Sequence, residues 1–275
     1  MALRWLVTGC SSGVGRALVR RLADEGEQVV ATARRPETLA DLTAHDSVVT
    51  ARLDVRDPEQ CAAAVQLAVD RFGGIDVLVN NAGYGQFGAV EEVSGEQLEA
   101  QFATNFFGPW RLTSLVLPLW RAQGGGRALF VSSTAGFTPY PGLAAYTSSK
   151  FALEGMAESL AQEAVHLGVK VTILQLGGFA TGYGRSIIDA AAPVEAYAQV
   201  HGGMRDALRG FENLPGLNDP AVFADVALRV ARLDSPPLRV PVGPDAEQHL
   251  TAALEHRAKE LTAVVDAGLD GADYF

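Results

Sequence analysis

Short, unbroken apolar runs recur along the chain, each followed by a stretch long enough for an amphipathic helix, and this alternation restricts the fold more than any other feature. The runs are RWLVT, QVVATA, SVVTARL, DVLVN, ALFVSS, VKVTILQL and LRVPV. Most are continuously apolar rather than alternating, as expected of strands covered on both faces. Between them, VGRALVRRLADEG, PEQCAAAVQLAVDRFG, GEQLEAQFATNFFGPWRLTSLVLPLWRAQG, LAAYTSSKFALEGMAESLAQEAVHLG and PAVFADVALRVARL space their apolar residues by three or four and often close on Gly. Repeated strand-helix order implies right-handed crossovers and an α/β fold: a doubly wound, mostly parallel sheet of about seven strands with helices on both faces. With no linker-like composition break in 275 residues, one domain over 1–275 is expected.

A formal charge of −10 argues against a nucleic-acid or anionic-membrane partner, since either would reward a basic face. Cys10 and Cys61 are too few for a disulfide framework or zinc site, and the five histidines lack ligand spacing, so no metal is expected. MALRWLVTG has neither the length nor the cleavage pattern of a signal peptide, and no later window is apolar enough to span a bilayer. A cytoplasmic protein with small-molecule chemistry is expected.

Ligands of doubly wound sheets bind beyond the carboxyl ends of the strands. There VTGCSSGVGRAL puts Gly9, Gly13 and Gly15 between the first strand and first helix, where glycines let the backbone turn sharply and approach a pyrophosphate stabilised by the helix N-terminus. After the second strand the chain reads ATARRPETL, with Arg34 and Arg35 where NAD-binding folds carry an acidic residue. Guanidinium groups bind a 2′-phosphate, which a carboxylate would repel, so NADP(H) is preferred and NAD(H) is the alternative.

In AAYTSSKFALEG, Tyr146 precedes Lys150 by one helical turn, so both side chains leave the same face. A phenol needs its anion stabilised to act near neutral pH; an ammonium about 4 Å away at an effective dielectric of about 20 supplies on the order of 4 kcal/mol, or about three pKa units. The spacing alone says little in a chain with six tyrosines.

The T-G-x-x-x-G-x-G turn, the N-N-A-G string at Asn80–Gly83, Ser133 thirteen residues before Tyr146 and Asn105 forty-one before it together resemble the short-chain dehydrogenase/reductase family, in its hydroxysteroid-dehydrogenase-like members. The resemblance implies a Rossmann-type domain in which Thr8, Gly9, Ser11, Ser12, Gly13, Val14 and Gly15 cradle the dinucleotide phosphates. Arg34 and Arg35 would meet the 2′-phosphate with Ser11 in reach, Asp54 and Val55 the adenine, and Asn81, Ala82 and Gly83 would let the cofactor pass. It implies that Tyr146 exchanges a proton with substrate, Ser133 binds the substrate oxygen, Lys150 holds the nicotinamide ribose and Asn105 completes the relay. Gly177, Gly178 and Thr181 would pass the nicotinamide carboxamide. Leu176 stands where those members carry Pro, which predicts a looser loop.

The long segment 179–220, rich in both glycine and large apolar residues, reads as an irregular substrate lid. Phe87, Tyr140, Leu143, Phe179 and Tyr183 would line a mostly apolar pocket. The expected activity is interconversion of a carbonyl and an alcohol, with reduction favoured. An NAD-linked dehydrogenase of the same fold and a non-catalytic NADP-binding redox sensor are the alternatives. Apolar residues on several faces of Gly95–Gln123 and Leu143–Leu167 imply, with the resemblance, a homodimer or homotetramer.

Overall fold

The computed structural model describes residues 2–210 and 215–270. The described strands are β1 (Arg4–Val7), β2 (Gln28–Ala33), β3 (Val48–Arg52), β4 (Val77–Asn80), β5 (Gln86–Phe87), β6 (Gly126–Ser133), β7 (Val169–Leu176), β8 (Ile188–Asp189) and β9 (Arg239–Val242). Seven form one sheet in the order β3-β2-β1-β4-β6-β7-β9, every pairing parallel, and β5 and β8 pair separately. All seven apolar runs named above are strands of the large sheet.

The pleat explains the unbroken apolar runs. Trp5 and Val7 point into a core shared with α1 (Gly13–Asp24) and α8 (Pro220–Arg232). Leu6 points into a second core shared with α2 (Pro58–Phe72), α4 (Gly108–Gln123) and α5 (Ala144–Glu163). Alternate residues thus bury into opposite layers, and neither face tolerates polarity. Strand order reverses between β1 and β4, which opens the crevice where such sheets bind ligands.

Three departures from the sequence reading bear on the site. Gly95–Gln123 is not one helix: α3 (Gly95–Phe102) passes through a π-helical stretch, Ala103–Phe107, before α4. Pro109 has no N–H to give the Asn105 carbonyl, and Gly108 N–H bonds Ala103 O across the wider turn. The segment after Phe179 is not irregular: it holds α6 (Tyr183–Ser186), β8 and α7 (Ala198–Arg209). Gly202 and Gly203 lie inside α7, where their poor helix propensity hid it, yet His201 and Leu208 bury one side. Phe211, one of the large apolar residues of segment 179–220, lies outside the described residues. A long C-terminal helix, α9 (Pro244–Asp266), was not expected; Pro244 and the acidic Asp245 and Glu247 of its first turn were legible start signals. No helix among the described residues is long and apolar enough to cross a membrane.

Candidate active site

The glycine turn and the turn after β4 are fastened together. Thr8 Oγ1 accepts from the N–H groups of Asn81 and Ala82, both at 2.9 Å, and Asn81 Nδ2 donates to Thr8 O at 2.7 Å and Gly9 O at 3.0 Å. Gly9 has φ 72°, and a Cβ there would lie 2.8 Å from Ala82 Cα; a Cβ on Gly15 would lie 2.3 Å from Asn81 Nδ2. Side chains are excluded from both positions, so backbone lines the cradle. Ser11 and Ser12 are exposed at its rim, while Val14 packs inward on the core. Thr181 closes the far side: a Cβ on Gly13 would touch its side chain at 3.5 Å.

Beyond β2 and β3 an open groove of about 690 Å³ is lined by Arg34, Arg35, Arg52, Asp54 and Arg56, with Asp57 and Gln60. Arg56 grips Asp54 through Nη2 at 2.6 Å and Nε at 2.9 Å, holding the carboxyl below the usual range, and Arg34 adds to the effect. Arg52 and Arg56 were not singled out from the sequence, although RLDVRD places both beside Asp54. Val55 is a core residue, its side chain against Gly108, so only its backbone is available to a ligand.

The loop after β7 is held rather than loose. Gly178 N–H donates to Asp245 Oδ2 at 2.6 Å, Asn218 Nδ2 donates to Gly178 O at 2.7 Å and to Asp245 Oδ1 at 2.8 Å, and Gly177 N–H donates to Val242 O at 3.1 Å. Leu176 ends β7 in register with Val242. Where a proline would preset the turn, side chains from α9 and from the residues before α8 pin it, which corrects the expectation of looseness.

At the other end, Tyr146, Lys150 and Asn105 are buried and Ser133 is partly so. Asn105, on the π-helical stretch, donates from Nδ2 to Tyr84 O at 3.0 Å and Ser149 Oγ at 3.1 Å, while its Oδ1 accepts from Tyr84 N at 3.2 Å. The Asn105 side chain and Lys150 Nζ both border Gly83, so two elements distant in sequence converge there. Lys150 Nζ donates to Val131 O at 2.7 Å and stands 5.8 Å from the Tyr146 ring centre. Ser133 Oγ accepts from Ala135 N–H at 3.2 Å. The neighbouring Ser132 turns away and donates to the buried Glu154 at 2.7 Å.

Burial raises the Tyr146 pKa, with hydrogen bonding from Ser133 and then Tyr183 pulling the other way. Burial pulls Lys150 down to about 8, partly offset by Glu154. The ammonium therefore does not acidify the phenol by the margin that helical spacing implied: it is turned to a carbonyl, and desolvation of the phenol dominates. Cys10, pushed up to about 12, and Cys61, to about 11, are buried thiols rather than nucleophiles.

Phe87, Leu143 and Tyr146 share an apolar cluster with Ala135, Ile187 and Leu208, against which Tyr140 and Tyr183 pack. Phe179 does not join them; it buries in the core on the α1 and α8 side and bridges to Asn218.

A glycine cradle free of side chains, fastened at the point where strand order reverses, suits a dinucleotide pyrophosphate, and the arginine groove suits its adenosine end. Residues 4–191 match the family described as short chain dehydrogenase. The chain is 37% identical over 254 residues to Oxidoreductase BOA17 of Botryotinia fuckeliana (strain B05.10), covering 91% of this chain and 92% of that one. It is 34% identical over 247 residues to a 3-ketodihydrosphingosine reductase of Bacteroides thetaiotaomicron, covering 87% of each. A solved short-chain dehydrogenase from Streptomyces avermitilis superposes with a TM-score of 0.90 at 37% identity, over 98% of both chains. Other solved structures of similar fold hold NADP in one case and NAD in another. The chain belongs to the short-chain dehydrogenase family and is an oxidoreductase of that family.

Proposed function

We propose that this protein is an NADP(H)-dependent carbonyl reductase that interconverts a mostly apolar ketone or aldehyde and its alcohol. The convergence of Tyr146, Lys150, Asn105 and Ser133 beside a cluster of apolar side chains carries the reading. The bound nicotinamide supplies the hydride in reduction and accepts it in oxidation. Tyr146 is the proton donor: its raised pKa keeps the proton at neutral pH until the substrate oxygen becomes basic. Ser133 donates to the same oxygen. Lys150 would hold the cofactor's ribose and presents a positive charge beside Tyr146, and Asn105 fixes the wall formed by Tyr84.

Arg34, with Arg35, Arg52 and Arg56 around it, supports preference for the 2′-phosphate, since the groove's one strand-end carboxylate, Asp54, is already neutralised by Arg56. Phe87, Tyr140 and Tyr183 form the substrate wall, under a lid made of α6, β8 and α7. The G-G-F-x-T string from Gly177 to Thr181 supports grouping with the hydroxysteroid-dehydrogenase-like members. The reading includes a cytoplasmic homo-oligomer.

The test follows NADPH and NADH consumption over ketones graded from small aryl to long-chain and polycyclic. NADPH-linked reduction of the apolar members is expected; absence of turnover across the set, or equal use of both nucleotides, overturns it.

A further inference from the structure

Tyr183 is the first residue of α6, on the segment that follows the cofactor loop. Its ring meets that of Tyr146 with centroids 5.9 Å apart and planes tilted by 54°. Its hydroxyl reaches inward over Gly85: a Cβ there would lie 2.5 Å from Tyr183 Oη. Ile187 and Met204 from the same segment and Phe87 from the body belong to the apolar cluster against which the ring packs. A wall residue would need only the ring, whereas the Tyr183 hydroxyl is hydrogen-bonded to that of Tyr146, the reacting phenol.

The two phenols differ in acidity in the sense this pairing requires. Burial raises both, but the charge of Tyr146 and the bond to it further oppose ionisation of Tyr183, whereas that bond favours ionisation of Tyr146. Tyr183 keeps its proton and donates, and Tyr146 accepts. The charged and titratable groups that bear on Tyr146 are Lys150 on its own helix, Tyr140 from the preceding loop and Tyr183 from α6.

We propose that Tyr183 is a third hydroxyl of the catalytic centre, donating a hydrogen bond to the Tyr146 oxygen and stabilising that oxygen as its proton leaves for the substrate, while Ser133 turns its own proton to the substrate oxygen. The proposal rests on the reading of Tyr146 as proton donor. In reduction the Tyr146 O–H bond breaks, the proton joins the substrate oxygen, and Tyr183 retains its own proton throughout. The group is carried by a segment outside the main sheet, held down by Ile188 N–H donating to Gly85 O at 2.9 Å and Ala190 N–H to Phe87 O at 2.7 Å. Reactivity of Tyr146 is thereby tied to the packing of that segment.

Tyr183→Phe removes the hydroxyl and keeps the ring. Its kinetics are measured with NADPH and the panel ketone that wild type reduces fastest, and with NADP and the corresponding alcohol. The expected result is about a tenfold fall in kcat for reduction, and a shift of the Tyr146 limb of alcohol oxidation to higher pH by about one unit, with NADPH binding unchanged. Loss of an anion-stabilising donor raises a phenol pKa, which fixes that direction. Gly85→Ala, which pushes the hydroxyl aside, should move the limb the same way and decides the matter if Tyr183→Phe proves unstable. A rise in KM with kcat and the limb unchanged makes Tyr183 a pocket wall and overturns the proposal. Turnover retained by Tyr146→Phe, or no turnover by wild type on any panel ketone, instead removes the reading beneath it.

Discussion

Lys150, rather than Tyr146, is the first of the central pair to change charge as pH rises. Burial lowers the lysine to about 8 and raises the tyrosine above its ordinary value, so near neutrality both carry protons, the state that reduction requires. The expected outcome is a reductive kcat/KM that falls above about pH 8 as Lys150 loses its charge. In Lys150→Arg, whose guanidinium does not titrate in this range, the rate is lower but the limb is absent; a wild-type profile flat to pH 10 contradicts the assignment. Tyr146→Phe should cost at least about a hundredfold in kcat while NADPH affinity measured by fluorescence stays near normal. At the other end of the cofactor, Arg34→Asp puts a carboxylate where a 2′-phosphate would lie. The ratio of NADPH to NADH affinity should drop at least tenfold, and an unchanged ratio would assign the phosphate to Arg52 or Arg56 instead.

Elements that look independent in sequence act together at the cofactor loop. Asp245, in the first turn of α9, takes hydrogen bonds from Gly178 and Asn218 and so ties β7, the approach to α8 and α9 into one frame. Asp245→Ala leaves two donors without that carboxylate, at a cost of about 2 kcal/mol in denaturant stability. Cofactor affinity should weaken severalfold while the Tyr146 pH limb stays put, because the loop and not the phenol is disturbed. The strands were legible because burial on both faces writes itself as continuous apolar residues, as in VKVTILQL. So was Tyr146 with Lys150, since one helical turn joins them. Arg56 was legible in RLDVRD, two residues from Asp54, but was passed over; Asp245 was not legible, because it acts on Gly178 and Asn218 far away in the chain and local spacing carries no trace of it. The π-helical stretch was half legible: Gly108-Pro109 advertises a break, but only the fold puts Asn105 on the widened turn facing Gly83. In α7 the glycines argued for loop, and packing of His201 and Leu208 overrode them.

At the scale of the whole molecule, the long helices expose more aromatic surface than a monomer in water needs. Phe102, Phe106, Phe107 and Trp110 form a run of ring contacts along α3, the π-helical stretch and α4, with centroids between 5.1 and 6.3 Å apart, and Phe107 and Trp110 are half exposed at 51% and 53%. Phe151 on α5 is 38% exposed as well. Large contiguous apolar patches on a protein surface mark interfaces, and a closed pair would cover the same patch on both copies. The same stretch carries Asn105, so a partner pressed on α4 would also stiffen the wall beside Lys150. Light scattering should accordingly give a multiple of the 29.0 kDa chain mass for wild type. Trp110→Glu, which puts a charge in the middle of the patch without touching the core, should shift the mass toward the single chain and lower kcat more than it raises KM for NADPH. A monomeric wild type would leave the aromatic run without that role, whereas a monomeric variant with full activity would separate assembly from the chemistry of Tyr146.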